Sequence, residues 1–306
     1  MKLRYLFSVI FILSSMSGFS QALAELLEEI ERNNLELQAA RQQKEQKRLE
    51  AHTGIYPKPF SVNYGYFPDN QTVVDRKQTF NITQSFYFPG VYKKMVSLAE
   101  DKTDVAELRY DALKQDVLLQ AKKTLIRMVY SRKMKEQLDQ RLEDAQKRKQ
   151  ALEKKTEAGD ANQLELNKAR FHLLRIRRKV RSEQLKRLQL QEQLKKLNGG
   201  NKLQGTYEHY PVFQKIHKDR LLEEKITNLP SVQLAAKMRE QSETLVKLQR
   251  SFNNPEFNIG YGSETVGNSS FRGFLAGVSI PLWSNKNKVK AAKANARYKD
   301  LNYQES

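Results

Sequence analysis

The amino-acid sequence predicts a mainly α chain with a smaller β part, built from long coiled-coil helical hairpins and two β-hairpins. Three observations carry that class. Between Val91 and Asn198 there is no proline and a single glycine, Gly159, so the backbone can turn there only once. Two separate segments alternate apolar and polar residues with period two, the pattern of two-faced strands. Short strings in the first half of the chain recur in the second, which marks an internal duplication.

The chain opens on an export signal. Lys2 and Arg4 precede the apolar run Leu6 to Leu13, and Ala22-Leu23-Ala24 supplies small residues for cleavage, so residues 1–24 read as a secretory signal peptide. A first repeat follows over 25–198: a helix, a β-hairpin over 57–88, and a long helical hairpin over 91–198 with its turn at 159. In the hairpin's first arm Val91, Leu98, Val105, Ala112, Leu119 and Ile126 recur every seven residues. In the second, Leu166, Ala169, Leu173, Ile176 and Val180 alternate three and four apart; both are coiled-coil seams. As one helix, the first arm is about 100 Å long at 1.5 Å per residue, too long for a compact domain.

The strands carry the aromatics. In Phe60-Ser61-Val62-Asn63-Tyr64-Gly65-Tyr66 the even positions are apolar or aromatic and the odd ones small or polar. Thr79 to Phe88 keeps the same alternation, with Gln84 as an exception. A Gly-rich break at Asn198 to Gly205 opens a linker over 199–228. An incomplete second repeat over 229–306 then brings a helix started by Pro230, a β-hairpin over 255–283 and the start of another long helix. Leu37-Gln38-Ala39-Ala40-Arg41 recurs as Gln233-Leu234-Ala235-Ala236-Lys237, and Phe60 has its counterpart in Phe257. Phe257, Ile259 and Tyr261 alternate with Asn258, Gly260 and Gly262, and Phe274, Ala276 and Val278 with Gly273, Gly277 and Ser279. Long polar helices flank each hairpin and offer no second sheet, so lipid is the expected cover for the oily face.

Composition excludes several classes. A mean hydropathy of −0.73 with 29% charged residues leaves no run of the roughly 18 apolar residues that a spanning helix needs. The absence of cysteine excludes a disulfide scaffold, thiolate metal sites and a cysteine nucleophile. The net charge of +19 suggests an anionic partner. Most of that charge lies on the helical hairpin, where Tyr92, Tyr110, Tyr130 and Phe171 are the only aromatics, too few to stack nucleic acid. Export argues against nucleic acid as well. His52, His172, His209 and His217 are scattered, and none of the sequences HExxH, GxSxG or GxxxxGK[ST] occurs. No enzyme activity, catalytic residue, cofactor or resident metal is expected.

Lys155-Thr156-Glu157-Ala158-Gly159-Asp160-Ala161-Asn162-Gln163-Leu164-Glu165-Leu166 and Gly277-Val278-Ser279-Ile280-Pro281-Leu282-Trp283, together with the order of elements and the duplication, resemble the TolC-like outer-membrane efflux protein family. The first string looks like the turn at the periplasmic tip, the second like the last strand entering its long helix. The resemblance implies a homotrimer in which each subunit gives four strands to one twelve-stranded transmembrane β-barrel on an α-helical tunnel through the periplasm. It implies a passive conduit of a tripartite efflux or type I secretion system, in the outer membrane, with a periplasmic adaptor (membrane fusion) protein and an inner-membrane pump as partners. Asn285 to Ala292 resembles the family's metal-cation branch. The counterpart of the Gly159 turn falls beyond Ser306, so a longer protein is expected. The competing readings are a periplasmic coiled-coil adaptor, which shares the signal and hairpin but has no use for two oily strand pairs, and a basic nucleic-acid-binding coiled coil.

Two sets of site residues follow. Phe60, Val62, Tyr64, Tyr66, Phe257, Ile259 and Tyr261 are expected to face lipid, with Ser61, Asn63, Asn258 and Gly260 toward a lumen. Glu157, Gly159, Asp160 and Glu165 form an acidic tip turn, with Asp160 placed to cap the returning helix, where an adaptor or cationic cargo would touch.

Overall fold

The structure, a computed structural model, describes residues 23–68, 76–204, 210, 229–283 and 285–305. The signal peptide up to residue 22, most of the 199–228 linker, and His209 and His217 lie outside the described residues. Residues 23–33 form helix α1. It is followed by α2 (Leu35–Ala51), β1 (Ser61–Phe67), β2 (Lys77–Phe86), α3 (Pro89–Glu157), α4 (Gln163–Leu197), α5 (Pro230–Ser251), β3 (Glu256–Val266), β4 (Ser269–Ser279) and α6 (Lys286–Glu305). The chain divides into two compact units: residues 1–39 with 113–216, and residues 40–112 with 217–306.

The first unit is helical. Asn34 interrupts the run from α1 to α2: its side-chain oxygen accepts from the Leu37 amide at 2.9 Å, the bond of an N-cap, and its amide donates to the Leu197 carbonyl at 2.8 Å. Ile30 and Leu37 pack with Val117 and Ala121 of α3 and Leu197 of α4. Farther along, Leu138 and Ala145 meet Leu173, Ile176 and Val180, so the seam read from α4 is buried. The seven-residue seam of α3 needs correction. Val91, Leu98 and Val105 are buried but Leu119 is 45% exposed, and burial resumes at Val117, Ala121 and Leu125. The buried face is set by the neighbour: α3 meets α5 in one unit and α1 and α4 in the other, and one stripe cannot serve both.

In the second unit Val91 and Leu98 pack against Leu248 of α5, with Tyr87, Met95 and Phe252 around them. Lys237 ties α5 to α3 through Asp101 at 2.8 Å and Asp104 at 3.0 Å, and also pairs with Glu240. Burial alone would lower the Lys237 pKa, but the bonds from Asp101, Glu240 and Asp104 outweigh it and hold the ammonium well above its ordinary value. A raised folded-state pKa means the pairing stabilises fully below the unfolded-lysine pKa and is lost only as pH rises through the folded value.

The four strands form one antiparallel sheet in the order β1-β2-β3-β4, so the two hairpins join through β2 and β3. Tyr87 anchors the sheet at the helices: its backbone amide donates to the Tyr92 hydroxyl at 3.1 Å, its ring meets Phe252 edge-on at 5.4 Å, and Lys58 lies 4.7 Å over it. The Gln84 exception has a reason here. It is buried among the sheet residues and donates to the Lys58 carbonyl, securing the chain as it approaches β1.

Candidate functional site

Register sorts the sheet residues onto two faces, because directly paired residues point the same way. Val62, Ile82, Tyr261 and Phe274 form one row across all four strands. Tyr64 and Phe80 join Ser263 and Arg272 in a neighbouring row, and Phe86, Phe257 and Val278 form another. The opposite face carries Ser61, Thr83, Gly260 and Leu275 in one row and Asn63, Asn81, Gly262 and Gly273 in the next; it is mostly small and polar, with Phe67, Val266, Phe271 and Leu275 as its large apolar residues. All but one of the expected aromatic set thus stand in strands on a single face, with Ser61, Asn63, Asn258 and Gly260 on the other. Phe60 is the departure: it precedes β1, which starts at Ser61, and is 71% exposed.

The aromatic face has no cover. Val62 is 60% exposed, Tyr64 66%, Ile259 55% and Phe274 91%, and Gln84 is the one buried residue among the described sheet positions. Aliphatic and aromatic side chains left open over four strands exceed the scattered exposure that soluble surfaces show. On the opposite face some glycines mark close approaches between strands. A β-carbon at Gly260 would stand 2.6 Å from the Ile82 carbonyl oxygen, and one at Gly65 2.7 Å from the Thr79 hydroxyl. Glycine lets the paired strands approach closely at those two points. The acidic residues of that face are paired: Glu256 with Lys58 at 2.6 Å and Glu264 with Lys77 at 2.8 Å.

The acidic turn is built by backbone chemistry. The Gly159 amide donates to Thr156 at 3.2 Å and the Asp160 amide to Lys155 at 2.8 Å, and Gly159 has φ +80°. These are the paired bonds of a Schellman ending, with glycine in the left-handed position. The expected cap is corrected. Asn162, not Asp160, caps α4, its side-chain oxygen accepting from the Leu164 amide at 3.0 Å. Asp160 closes the preceding helix and stands too early to reach those amides. Glu157, Asp160 and Glu165 are exposed, and among the described residues no ion pair holds them. The Asn285 to Ala292 segment also has a local role: the buried Asn285 donates to the Gln249 carbonyl and to Asn253, fixing the start of α6 against α5. Sequence reading missed that node and the one around Asn198, since a buried asparagine looks like any loop asparagine in a string.

No family model matches the chain and no curated protein matches it in sequence. Solved structures do match its fold. The Campylobacter jejuni CmeC outer membrane channel is similar with a TM-score of 0.74 at 18% identity, over 95% of this chain and 68% of that one. The outer membrane protein VceC from Vibrio cholerae is similar with 0.74 at 13%, over 92% and 74%. CusC, described for its folding and transmembrane channel formation, is similar with 0.69 at 18%, over 93% and 72%. The chain has the fold of the TolC-like outer-membrane efflux channels.

Proposed function

We propose that this chain is the outer-membrane channel component of a tripartite efflux or type I secretion system, a passive conduit exported by residues 1–24. The uncovered aromatic face of the sheet carries the reading. Lipid is the solvent that such a face fits, and the small and polar residues that make up most of the opposite face suit a water-filled lumen. Strands β1 and β4 are edges, and an open edge is not tolerated in hydrocarbon. Closure therefore needs strands from other copies, and three copies of four strands give the twelve-stranded barrel of the similar channels' family. The helical hairpin then extends into the periplasm, its Gly159 turn toward an adaptor and an inner-membrane pump. Cationic cargo, metal cations included, is the finer reading, supported by the exposed Glu157, Asp160 and Glu165. A periplasmic adaptor would leave the aromatic face without a purpose.

Paired substitutions on neighbouring residues test the faces. Val62→Arg places a charge in the apolar row of the aromatic face and should cost about 2 to 4 kcal/mol if that row lies mid-bilayer, whereas Asn63→Arg points into the lumen and should assemble. Heat-resistant oligomer in outer-membrane fractions is the measurement. Equal loss from both substitutions would overturn the assignment.

A further inference from the structure

The sheet distributes its charges unevenly. Lys77, Glu256 and Glu264 all stand on the opposite, mostly polar face, each in an ion pair. On the aromatic face, among the described strand residues, the single formal charge is Arg272. It is exposed, and among the described residues it makes no ion pair or hydrogen bond. Its row continues through Ser263 and Phe80 to Tyr64. Toward the hairpin end the next row on the same face is wholly polar or amphipathic: Tyr66, Gln78, Thr265 and Ser270. In the other direction the row Val62, Ile82, Tyr261 and Phe274 is apolar or aromatic throughout. Arg272 therefore sits on the boundary where the face changes from oily to hydrogen-bonding.

We propose that Arg272 binds the phosphate of a membrane lipid headgroup and so fixes how deeply the β3–β4 end of the sheet sits in the bilayer. The proposal rests on the lipid-facing reading above. An arginine on a lipid face is costly at mid-depth and nearly free at the interface, where its apolar stem lies along the aromatic rows and its head reaches outward. There the guanidinium offers paired N–H donors to phosphate oxygens in the geometry that favours arginine over lysine. With no carboxylate on that face among the described strand residues, the lipid phosphate has no competitor from the same sheet. Ser263 and Thr265, with Ser270 beside them, supply hydroxyls along the same boundary.

The 306 residues of this sequence hold no cysteine, so one introduced thiol can be labelled once any cysteine elsewhere in the full-length protein is replaced. Tyr64→Cys in the full-length protein, spin-labelled and reconstituted in phosphatidylcholine vesicles, reports whether the face meets lipid. Spin-labelled phosphatidylglycerol against spin-labelled phosphatidylcholine then measures selectivity at the protein boundary. Wild type should prefer the anionic lipid by about fivefold, the worth of one arginine near an anionic surface. Arg272→Gln should bring the ratio close to one, and Arg272→Lys should restore part of it. Millimolar inorganic phosphate should leave the ratio unchanged, since the site holds a headgroup anchored in the bilayer; its collapse would indicate a free-anion site and overturn the proposal. An unchanged ratio in Arg272→Gln, or a weakened oligomer with the ratio intact, overturns it while a lipid-exposed label at Tyr64 leaves the face assignment standing. A label at Tyr64 shielded from lipid removes both.

Discussion

Two turns in the helical unit end their helices with the same backbone device and are put to opposite uses. At the end of α3, Gly159 and Asp160 return their amides to Thr156 and Lys155; at the end of α4, Gly199 and Gly200 return theirs to Lys196 and Lys195, at 3.2 and 2.8 Å in both cases. Both Gly159 and Gly199 have positive φ. Around Gly159 a β-carbon would meet nothing within 4 Å, whereas at Gly199 it would collide with the Asn33 carbonyl oxygen. Local chemistry alone thus makes a helix stop. What surrounds the stop decides whether it is a structural joint or a surface free to touch something else.

The joint is the Asn198 node. Asn198 is fully buried; its amide donates to Glu29 at 2.8 Å, and its oxygen accepts from Asn33 at 3.0 Å. Glu29 also accepts from the Gln204 backbone at 3.1 Å. The largest expected effect therefore lies at Gly199. Gly199→Ala adds left-handed strain of about 1 to 2 kcal/mol to a backbone collision that the packed segment cannot relieve, for a total of about 4 kcal/mol in the range of severe core lesions. Gly159→Ala carries the strain alone, about 1 kcal/mol. Urea midpoints at constant m-value measure the difference, and equal losses would break the comparison.

A second contrast separates the two asparagines. Asn198→Ala removes one of the two donors to the Glu29 carboxylate and the acceptor of the Asn33 amide in a partly buried network, at about 2 to 3 kcal/mol. Asn162→Ala loses one exposed N-cap bond, about 1 kcal/mol. Thermal midpoints of the two variants should fall in that order. A larger loss from Asn162→Ala would place the structural joint at the acidic turn instead.

The two turns were not equally legible in the sequence. Gly159 announces itself as the one glycine in a long helical run. Gly199 stands in a Gly-rich string that reads only as a break between the repeats, because the collision enforcing it comes from Asn33, far away in sequence. The sheet faces were legible for a related reason: period two is a local signal, and register needs only one anchor to extend it across four strands. The joining of β2 to β3, the shift of the α3 seam and the buried roles of Gln84 and Asn285 all depend on neighbours that no local pattern names. Asp160 was misplaced as a cap because Asn162, two residues on, offers a capping acceptor oxygen of the same reach; only the geometry of the turn chooses between them.

The smallest expected effect on stability is paired with the most informative effect on function. Glu157 and Asp160 are exposed at a turn whose integrity rests on backbone bonds and on Gly159, so Glu157→Lys with Asp160→Lys removes none of the contacts that make the turn. Lysine at position 157, in the last turn of α3, even suits the negative end of the helix dipole better than glutamate, by a few tenths of a kcal/mol. Stability should therefore stay within about 0.5 kcal/mol of wild type, and oligomer and membrane insertion should be unchanged. Export should nevertheless fall if the acidic turn meets basic groups on an adaptor or draws in cationic cargo, because two negative charges have become positive on each copy. The two causes separate on a second measurement. Reduced crosslinking of the turn to its adaptor assigns the carboxylates to docking, while normal crosslinking with reduced export of cations alone assigns them to cargo. Wild-type export with normal crosslinking would leave the carboxylates no role beyond charge on a solvated turn, and the contrast between the two turns would then concern folding only.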